Sequence, residues 1–313
     1  MDLKNKKVLV TGAGGFIGSF LVEELLKKGA EVFAFIKKEE DIGLLKELNG
    51  GSKINIISGD LRNIEDIKNA IKGKEIIFHL GALVSVKDSF RIPEEYFMIN
   101  SFGTLNILIS AKEEKIKKIV LSSTSEVYGD GQLSPINEEL KTEPRSPYAF
   151  SKEIAEKFSK SFYELYNLPI SIARVFNVFG PRQSVGPLIP SVINKLLNRK
   201  RIKITNLDSR RDFVYVRDVA NAFIKIAESE GTNGEIFNVG TGNLISVREV
   251  LEEVSKLLQT DFYSSIELED FKEDKKRLKC DYKKLKEITG WGPEYSFEKG
   301  LIETIDYFKG RFG

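Results

Sequence analysis

The stretch VLVTGAGGFIGSFLVEELL, residues 8–26, decides the fold of this 313-residue chain. It begins with a short apolar run, continues through Gly12, Gly15 and Gly18, and ends in the apolar pattern of an amphipathic helix. Such glycines permit a positive φ, a close approach of backbone to a pyrophosphate, and tight packing of helix on strand. The start of the helix also favours an anion. The stretch therefore predicts a dinucleotide-binding unit, with a simple tight turn as the alternative; its spacing is GxxGxxG rather than GxGxxG.

Outward from this unit, short apolar runs alternate with helical patterns up to about residue 175. Runs such as EVFAFI, EIIFHL and KIVLS are continuous, which is typical of strands buried on both faces of a parallel sheet. After residue 180 the rhythm breaks into mixed segments. The sequence predicts an α/β fold, with a doubly wound parallel Rossmann sheet over residues 1–175 and a smaller mixed C-terminal substrate domain over 176–313, interleaved with returns to the sheet.

The composition limits the chemistry that the chain can perform. The 48 Lys and Arg nearly balance the 46 Asp and Glu without a block of like charge, so we expect no nucleic-acid partner and no membrane partner. No apolar run approaches the roughly 18 residues of a membrane span and no signal peptide is recognisable, which predicts a cytoplasmic protein. A single cysteine, Cys280, and a single histidine, His79, leave no disulfide and no zinc cluster, so no metal is expected. Acid–base chemistry must come from Tyr, Lys, Asp, Glu or a cofactor.

The end of the second predicted strand bears on the choice of cofactor. An acidic residue there accepts the adenosine ribose hydroxyl of NAD. Here EVFAFI ends in Ile36, Lys37 and Lys38, and the acidic residues follow only at 39–41. Basic side chains can receive a 2′-phosphate, so we predict that NADP binds no more weakly than NAD, unless these are simply solvated loop charges. Asp60, after the third strand, either accepts from the adenine amino group or caps the next helix.

The segment SPYAFSKEIAEKF, residues 146–158, carries Tyr148 and Lys152 four positions apart, which places both on one face of a helix. A tyrosine normally titrates near ~10, and a neighbouring ammonium favours its phenolate, so this pair suits a general base. Taken alone, the same spacing is also common for a pair on a helix surface.

The ordered motifs of the whole chain resemble the extended short-chain dehydrogenases that act on nucleotide sugars. They read TGAGGFIGS, GDLRN, FHLGA, SSTSEVYG, YAFSK, RVFNVFGPRQ, RRDFVYVRDVA, FNVGTG and TGWGP. The resemblance implies a tightly bound NAD or NADP and a nucleotide-sugar substrate. It implies Tyr148 as the catalytic base, Lys152 as the group that holds the nicotinamide ribose and lowers the tyrosine pKa, and Thr124 as a hydrogen-bond partner of the sugar hydroxyl.

The resemblance also implies the residues that contact each ligand. Those for the cofactor are Gly12, Gly15, Phe16, Ile17, Gly18, Lys37, Asp60, Leu61, Leu80, Ala82, Ser122, Tyr148 and Lys152. Those for the substrate are Val84, Thr124, Ser125, Asn177, Leu188, Ile189 and Arg211. Asn177 and Arg211 would bind the diphosphate, and Leu188 and Ile189 would line the base pocket. Lys272 or Arg277 would supply a second phosphate contact, unless that Lys-rich segment is a solvated face.

Glu126, in SSTSEVYG, bears on which reaction of this family the chain catalyses. A 4-epimerase needs only the tyrosine, the threonine and the cofactor, whereas a 4,6-dehydratase needs a carboxylate to remove the proton at carbon 5. The resemblance therefore favours a 4,6-dehydratase with Glu126 as that base. The alternatives are a 4-epimerase, then a UDP-glucuronate decarboxylase or a 4-keto-sugar reductase, and, outside enzymes, a dinucleotide-sensing binding protein. Glu126 as a cap of a helix or loop is the structural alternative.

Two predicted helices, around residues 96–112 and 150–166, carry apolar residues on more than one face, as FMINSFGTLNILI shows. Such helices need burial beyond their own sheet. The family uses these two helices in a four-helix dimer interface, so the resemblance implies a homodimer. Deeper burial inside one monomer is the alternative.

Overall fold

The computed structural model describes residues 1–37, 42–48, 54–130, 135–261, 266–269 and 278–312. Its large sheet consists of β1 (Lys7–Thr11), β2 (Glu31–Ile36), β3 (Asn55–Ser58), β4 (Ile76–His79), β5 (Lys118–Thr124), β6 (Ile170–Val175) and β10 (Ile236–Val239). All seven strands are parallel, in the order β3-β2-β1-β4-β5-β6-β10. Every residue of β4 and β6 is buried, which explains the continuous apolar runs. The predicted doubly wound parallel sheet is confirmed.

Helices cover both faces of this sheet. They are α1 (Phe16–Lys27), α2 (Ile64–Ile71), α3 (Val86–Ser89), α4 (Pro93–Tyr96), α5 (Gly103–Glu113), α6 (Pro147–Tyr166), α7 (Leu188–Leu197), α8 (Val216–Glu228), α9 (Val247–Leu258), α10 (Lys283–Thr289) and α11 (Phe297–Phe312). On one face α1 packs beside α8, and on the other α5 packs between α2 and α6. A π-helix, Phe97–Phe102, joins α4 to α5. Each face therefore has its own apolar core.

The C-terminal part adds two small sheets beside the large one. In the first, β7 (Asn177–Phe179) pairs in parallel with β9 (Arg210–Tyr215), which pairs antiparallel with β11 (Leu244–Ser246). In the second, β8 (Ile202–Ile204) pairs in parallel with β12 (Ile266–Leu268). Between β9 and β11 the chain returns to the large sheet through β10. The domain boundary at residue 175 stays a prediction.

The carboxyl ends of β1, β4, β5 and β6 lie at one edge of the large sheet, since parallel strands end on the same side. Thr11 is in register with His79, and Thr124 with Val175. Ligands of doubly wound sheets bind at this edge. Of the described helices, none combines the length and apolar character that crossing a membrane requires. The cytoplasmic location stays a prediction from the sequence.

Candidate active site

A cavity of about 830 Å³ opens at the carboxyl edge of the large sheet. The predicted cofactor contacts that line it are Gly12, Gly15, Phe16, Ile17, Gly18, Leu80, Ala82, Ser122, Tyr148 and Lys152. The predicted substrate contacts that line it are Val84, Thr124, Asn177, Leu188, Ile189 and Arg211. Most of the predicted residues, drawn from distant parts of the sequence, therefore meet around one space.

Other predicted residues lie elsewhere. Lys37, Asp60, Leu61, Ser125 and Glu126 are described by the structure but do not belong to the described lining of the cavity. Lys272 and Arg277 lie outside the described residues, so their predicted phosphate contact stays a prediction. Within the described ranges, no three His, Cys, Asp or Glu side chains gather as a metal site requires.

The turn between β1 and α1 is shaped for close approach of a ligand. Gly12 has a φ of +68°, and a Cβ at this position would lie 2.8 Å from the backbone nitrogen of Gly81. A Cβ on Gly18 would overlap the carbonyl oxygen of Gly12. Gly15 precedes α1 and provides no side-chain cap, so the first N–H groups of the helix remain available to an anion. These residues fit the pyrophosphate of a dinucleotide.

A chain of buried hydrogen bonds fixes the strand ends beside this turn. The N–H of Gly81 donates to Thr11 Oγ1 at 3.0 Å, and Thr11 Oγ1 lies 2.7 Å from His79 Nδ1. His79 Nε2 lies 3.0 Å from Thr104 Oγ1, whose hydroxyl donates to a backbone carbonyl one turn earlier. This pattern assigns the proton of His79 to Nε2. Burial and, to a smaller extent, the charge of Lys152 lower the pKa of His79 to about 3, so this histidine is neutral and structural.

The expected reactive side chains come from two neighbouring elements. Tyr148 and Lys152 lie on the first two turns of α6, and Thr124 ends β5. Ser146 starts α6 by accepting a hydrogen bond from the N–H of Ala149 at 3.1 Å, so Tyr148 is already helical. The hydroxyl of Tyr148 hydrogen-bonds the side chain of Thr124. The predicted base therefore lies beside the predicted partner of the sugar hydroxyl, and both face the cavity.

Burial dominates the ionisation of this site. It raises the pKa of Tyr148 to about 12; the hydrogen bond from Thr124 opposes that shift, and the charge of Glu126 increases it. Burial lowers the pKa of Lys152 to about 8, and the carboxylate of Glu156 opposes that shift. In the protein alone Tyr148 is thus a neutral phenol at neutral pH. The lowering of its pKa by Lys152, which the resemblance implied, stays a prediction.

Glu126 lies on the 3₁₀ helix Ser125–Tyr128 that directly follows β5. Its backbone N–H donates to Thr124 Oγ1 at 3.2 Å, so Thr124, and not Glu126, is the residue that caps this turn. The side chain of Glu126 is half-buried, and its charge reaches Tyr148. The carboxylate is therefore electrostatically part of the reactive group although it lies outside the described lining of the cavity.

Strand β9 presents Arg211 to the cavity and the next residue, Asp212, to the protein interior. The carboxylate of Asp212 accepts hydrogen bonds from the backbone N–H groups of Thr241 and Gly242, both at 2.8 Å, and of Cys280 at 3.0 Å. Burial raises the pKa of Asp212, and these hydrogen bonds oppose the shift. Asp212 thus holds two loops against the strand that positions Arg211.

Sequence reasoning missed much of the cavity lining that the chain after residue 180 contributes. The unpredicted lining residues include Gln183, Lys203, Ile204, Thr205, Asn206, Ser209, Phe213 and Val247. Several come from β8 and the turn after it, which are too short to form a recognisable motif. The one available signal was their position directly before RRDF.

Asp60 does not cap the next helix, which corrects one of its two predicted roles. Asn63 caps α2 by accepting from the N–H of Glu65 at 3.0 Å. The carboxylate of Asp60 is instead bound by the guanidinium of Arg62, with Nη2 and Oδ2 2.6 Å apart. That hydrogen bond lowers the pKa of Asp60, as does, to a smaller extent, the charge of Lys37. Contact of Asp60 with adenine stays a prediction.

The chain is similar to known proteins over nearly its full length. A family model described as GDP-mannose 4,6 dehydratase matches residues 9–304. A UDP-glucuronate 4-epimerase of Thermodesulfobacterium geofontis is 35% identical, with 96% of this chain and 95% of that protein covered. A UDP-N-acetyl-alpha-D-glucosaminuronate decarboxylase of Bacillus cytotoxicus is 34% identical, with 97% and 98% covered. Among solved structures, UDP-glucuronic acid 4-epimerase from Bacillus cereus, in complex with UDP-glucuronic acid and NAD, has a TM-score of 0.89 at 28% identity and covers 98% of this chain and 100% of its own.

Proposed function

We propose that this chain is a nucleotide-sugar 4,6-dehydratase. It belongs to the GDP-mannose 4,6-dehydratase family, and with it to the NAD-dependent nucleotide-sugar epimerases and dehydratases. The observation that carries the proposal is the position of Glu126. It follows the threonine that hydrogen-bonds Tyr148 by two residues, and its charge acts on that tyrosine. A carboxylate this close to the reactive hydroxyl pair suits a second proton transfer at a neighbouring carbon.

Each reactive side chain has one role in this proposal. Bound NAD supplies reversible hydride exchange with the sugar. Tyr148 takes the proton of the hydroxyl at carbon 4, and Thr124 hydrogen-bonds the same oxygen. Lys152 binds ribose hydroxyls of the cofactor and favours the phenolate. Glu126 removes the proton at carbon 5, which a ketone at carbon 4 makes acidic. The hydroxyl of carbon 6 leaves as water with one of the two protons that Tyr148 and Glu126 have taken, and the other proton returns to carbon 5 as carbon 6 receives the hydride.

Asn177 and Arg211 bind the diphosphate in this proposal, and Leu188 and Ile189 line the base pocket. All four line the cavity, and all four belong to the chain after β6. Arg211 offers a planar guanidinium that matches phosphate oxygens. The arrangement supports a nucleoside diphosphate bound across the small sheet, with its sugar directed toward Tyr148.

A 4-epimerase is the second candidate, and a specific observation favours it. Ser125 and Glu126 do not belong to the described lining of the cavity, whereas Thr124, Tyr148 and Lys152 do. An epimerase needs only the latter three residues and the cofactor. The relative that is 35% identical also bears the name of a 4-epimerase.

Replacing Glu126 with glutamine separates the two candidates. Glutamine keeps the size of the side chain but cannot accept a proton, so the first oxidation should survive and loss of water should fall ~10²–10⁴-fold. The measurement is cofactor absorbance together with the mass of the sugar product. Glu143→Gln, which changes an exposed carboxylate of the following loop, serves as the matched control. Water loss at the wild-type rate in Glu126→Gln would remove this residue as the base; unchanged 4-epimer formation would favour the second candidate.

We also propose a homodimer formed through α6 and through the π-helix Phe97–Phe102, which continues into α5. The side chains of Met98, Phe102 and Phe150 are 45%, 48% and 46% exposed, and Phe150 packs edge-on against Phe97. Such an apolar surface on two adjacent helices suits burial by a second copy. Light scattering at micromolar concentration should give the mass of a dimer, and a monomeric mass would contradict the proposal.

A further inference from the structure

A buried ion pair lies one helical turn beyond Lys152. Glu156 and Arg174 are each only 4% exposed. Arg174 Nη2 lies 2.7 Å from Glu156 Oε2, and Arg174 Nε lies 3.0 Å from Glu156 Oε1. The guanidinium therefore grips the carboxylate with two hydrogen bonds, the geometry that fixes relative orientation most strongly.

The same carboxylate also binds the strand that carries Thr124. Ser123 Oγ donates to Glu156 Oε1 at 2.5 Å. Ser123 and Arg174 are register partners on β5 and β6, so one carboxylate from α6 closes over both strands. Glu156 thus connects α6, which carries Tyr148 and Lys152, to the carboxyl end of β5 and to β6.

Stability alone does not account for this pair. A buried ion pair gives little net stability compared with apolar side chains of the same volume, because both charges must leave water. The guanidinium of Arg174 also lies 4.7 Å over the ring of Tyr128, and its Nη1 has no hydrogen-bond partner among the described residues. The arrangement therefore keeps two opposite charges buried where α6 crosses β5 and β6.

Lys152 lies on the same helix, one turn before Glu156. Charged or titratable side chains of α6 and of the elements near it are Tyr148, Glu156, Arg174 of β6, His79 of β4, Tyr96 of α4, and Glu126 and Tyr128 of the 3₁₀ helix. Among these groups, Glu156 acts on the ionisation of Lys152, and Lys152 acts on that of His79. Glu156 is therefore the negative group that pairs with Arg174 and that opposes the desolvation of Lys152.

We propose that Glu156 is a positioning residue that holds α6 against β5 and β6 and supplies the negative charge one helical turn from Lys152. The inference rests on the proposed role of Tyr148 and Lys152. Burial lowers the pKa of Lys152 to about 8, and Glu156 is the charge that opposes this shift. Without that charge, desolvation lowers the pKa of Lys152 further, and at neutral pH a larger fraction of this lysine loses its proton.

The same helix offers a matched control. Glu153 is a second buried carboxylate of α6, which accepts from Thr142 Oγ1 at 2.5 Å and pairs with Lys157 at 3.2 Å. It contributes no resolved effect to the ionisation of Lys152. Glu153→Gln therefore tests loss of a buried carboxylate from α6 without loss of the charge next to Lys152.

The direct test is a titration of Lys152 by NMR in protein labelled with ¹³C at the lysine Cε, with Lys152→Met identifying the resonance. In Glu156→Gln the midpoint should fall by about one pH unit. In the double variant Glu156→Gln/Arg174→Gln, which leaves no unpaired buried charge, it should fall as well. In Glu153→Gln it should not move. The double variant keeps the test decisive if Glu156→Gln does not fold.

A second readout is the pH dependence of cofactor reduction by a nucleotide sugar. The loss of rate at high pH should move to lower pH in Glu156→Gln, and Glu156→Asp, which keeps the charge, should restore most of it. An unchanged Lys152 midpoint in Glu156→Gln, or an equal shift in Glu153→Gln, would overturn the inference. The titration needs no substrate, so it remains valid even if no nucleotide sugar reduces the cofactor and the proposed function fails.

Discussion

Two buried lysines at opposite ends of the large sheet differ in what surrounds their ammonium groups. Lys118 begins β5, and its Nζ donates to Ser171 Oγ and Thr232 Oγ1, both at 2.7 Å, and to Asn233 Oδ1 at 2.6 Å. Lys152 lies at the other end of the sheet, lines the cavity, and has no hydrogen bond from Nζ to another described residue.

This difference teaches how to distinguish a structural from a functional charge. Burial lowers the pKa of Lys118 to about 7 and that of Lys152 to about 8, so a lowered pKa does not separate them. Their partners do. An ammonium has three donors, and the described residues satisfy all of them at Lys118 and none at Lys152. A buried polar group that lacks partners and faces a cavity marks the place where a ligand provides them.

The largest effect on turnover is expected for Tyr148, which lines the cavity. Tyr148→Phe removes the base but keeps the ring, so turnover should fall ~10²–10⁴-fold while the titration of NAD is retained. Steady-state rates and cofactor binding check this. Tyr96→Phe is the matched control, since this neighbouring tyrosine donates to the carbonyl of Ser85 and does not belong to the described lining of the cavity. Near-wild-type turnover in Tyr148→Phe would show that another group removes the proton.

The two lysines themselves should respond in opposite ways to the same substitution. Lys152→Met should reduce turnover ~10²–10³-fold, as loss of one electrostatic contact at a reacting centre does, with little loss of stability. Lys118→Met should keep turnover and lower the free energy of unfolding by ~1–3 kcal/mol, because three acceptors lose their donor. Steady-state rates and denaturant unfolding of both variants measure these two effects, loss of turnover and loss of stability. Equal losses of activity in Lys152→Met and Lys118→Met would contradict the distinction between a functional and a structural lysine.

The pH dependence of stability gives a further check on Lys118. Its folded pKa of about 7 lies below the value near ~10.4 of an unfolded lysine, so the unfolded chain binds more protons between these values. The wild type should therefore gain stability relative to Lys118→Met as the pH rises from 7 toward 10. Denaturant unfolding at several pH values measures the difference. A difference that stays constant would mean that the three hydrogen bonds keep this lysine charged.

A smaller effect is expected on the substrate wall. Arg211→Met removes a charged contact to the diphosphate, which is worth ~1.5–3 kcal/mol, so KM for the nucleotide sugar should rise ~10–100-fold. The binding of NAD should not change, because Arg211 lies on β9, whereas the turn that fits the pyrophosphate joins β1 to α1. Kinetics and cofactor titration of the variant check both statements. A loss of NAD binding instead would move Arg211 to the cofactor half of the cavity.

The smallest effect concerns the choice between NADP and NAD. Lys37 is exposed at the end of β2, where a 2′-phosphate would lie. Lys37→Ala should weaken NADP by roughly 2–5-fold, as loss of an exposed ion pair does, and leave NAD unchanged. Calorimetric titration of both dinucleotides measures this. A strong preference of the wild type for NAD would show that this lysine does not select the cofactor.

Local patterns predicted what local sequence determines. The strand, turn and helix of residues 8–26 follow one another directly, so the glycines that fit a pyrophosphate could be identified from spacing alone. The pair Tyr148 and Lys152 was equally accessible, because four residues of helix fix their common face. Both predictions concern residues whose geometry depends on a single element or on one connection.

Contacts between distant strands were not predictable in the same way. Ser123, Glu156 and Arg174 meet because β5 and β6 pair in one register beneath α6, and nothing in KIVLSST or PISIARVF specifies that register. The cap of α2 was assigned to Asp60 as one alternative, whereas Asn63, three residues later, forms it. Neutral partners of Lys118 at positions 171 and 232 likewise become visible only when the strands are assembled.

The residues at the cavity are proposed to catalyse loss of water from a nucleotide sugar. The most direct test incubates the wild-type enzyme and NAD with UDP-, GDP-, dTDP- and CDP-linked hexoses and analyses the products by mass spectrometry and NMR. The account predicts, for one of these substrates, a 4-keto sugar that has lost one water and carries a methyl group at carbon 6. A product of unchanged mass that is the 4-epimer, with no dehydrated sugar from any member of the panel, would contradict it.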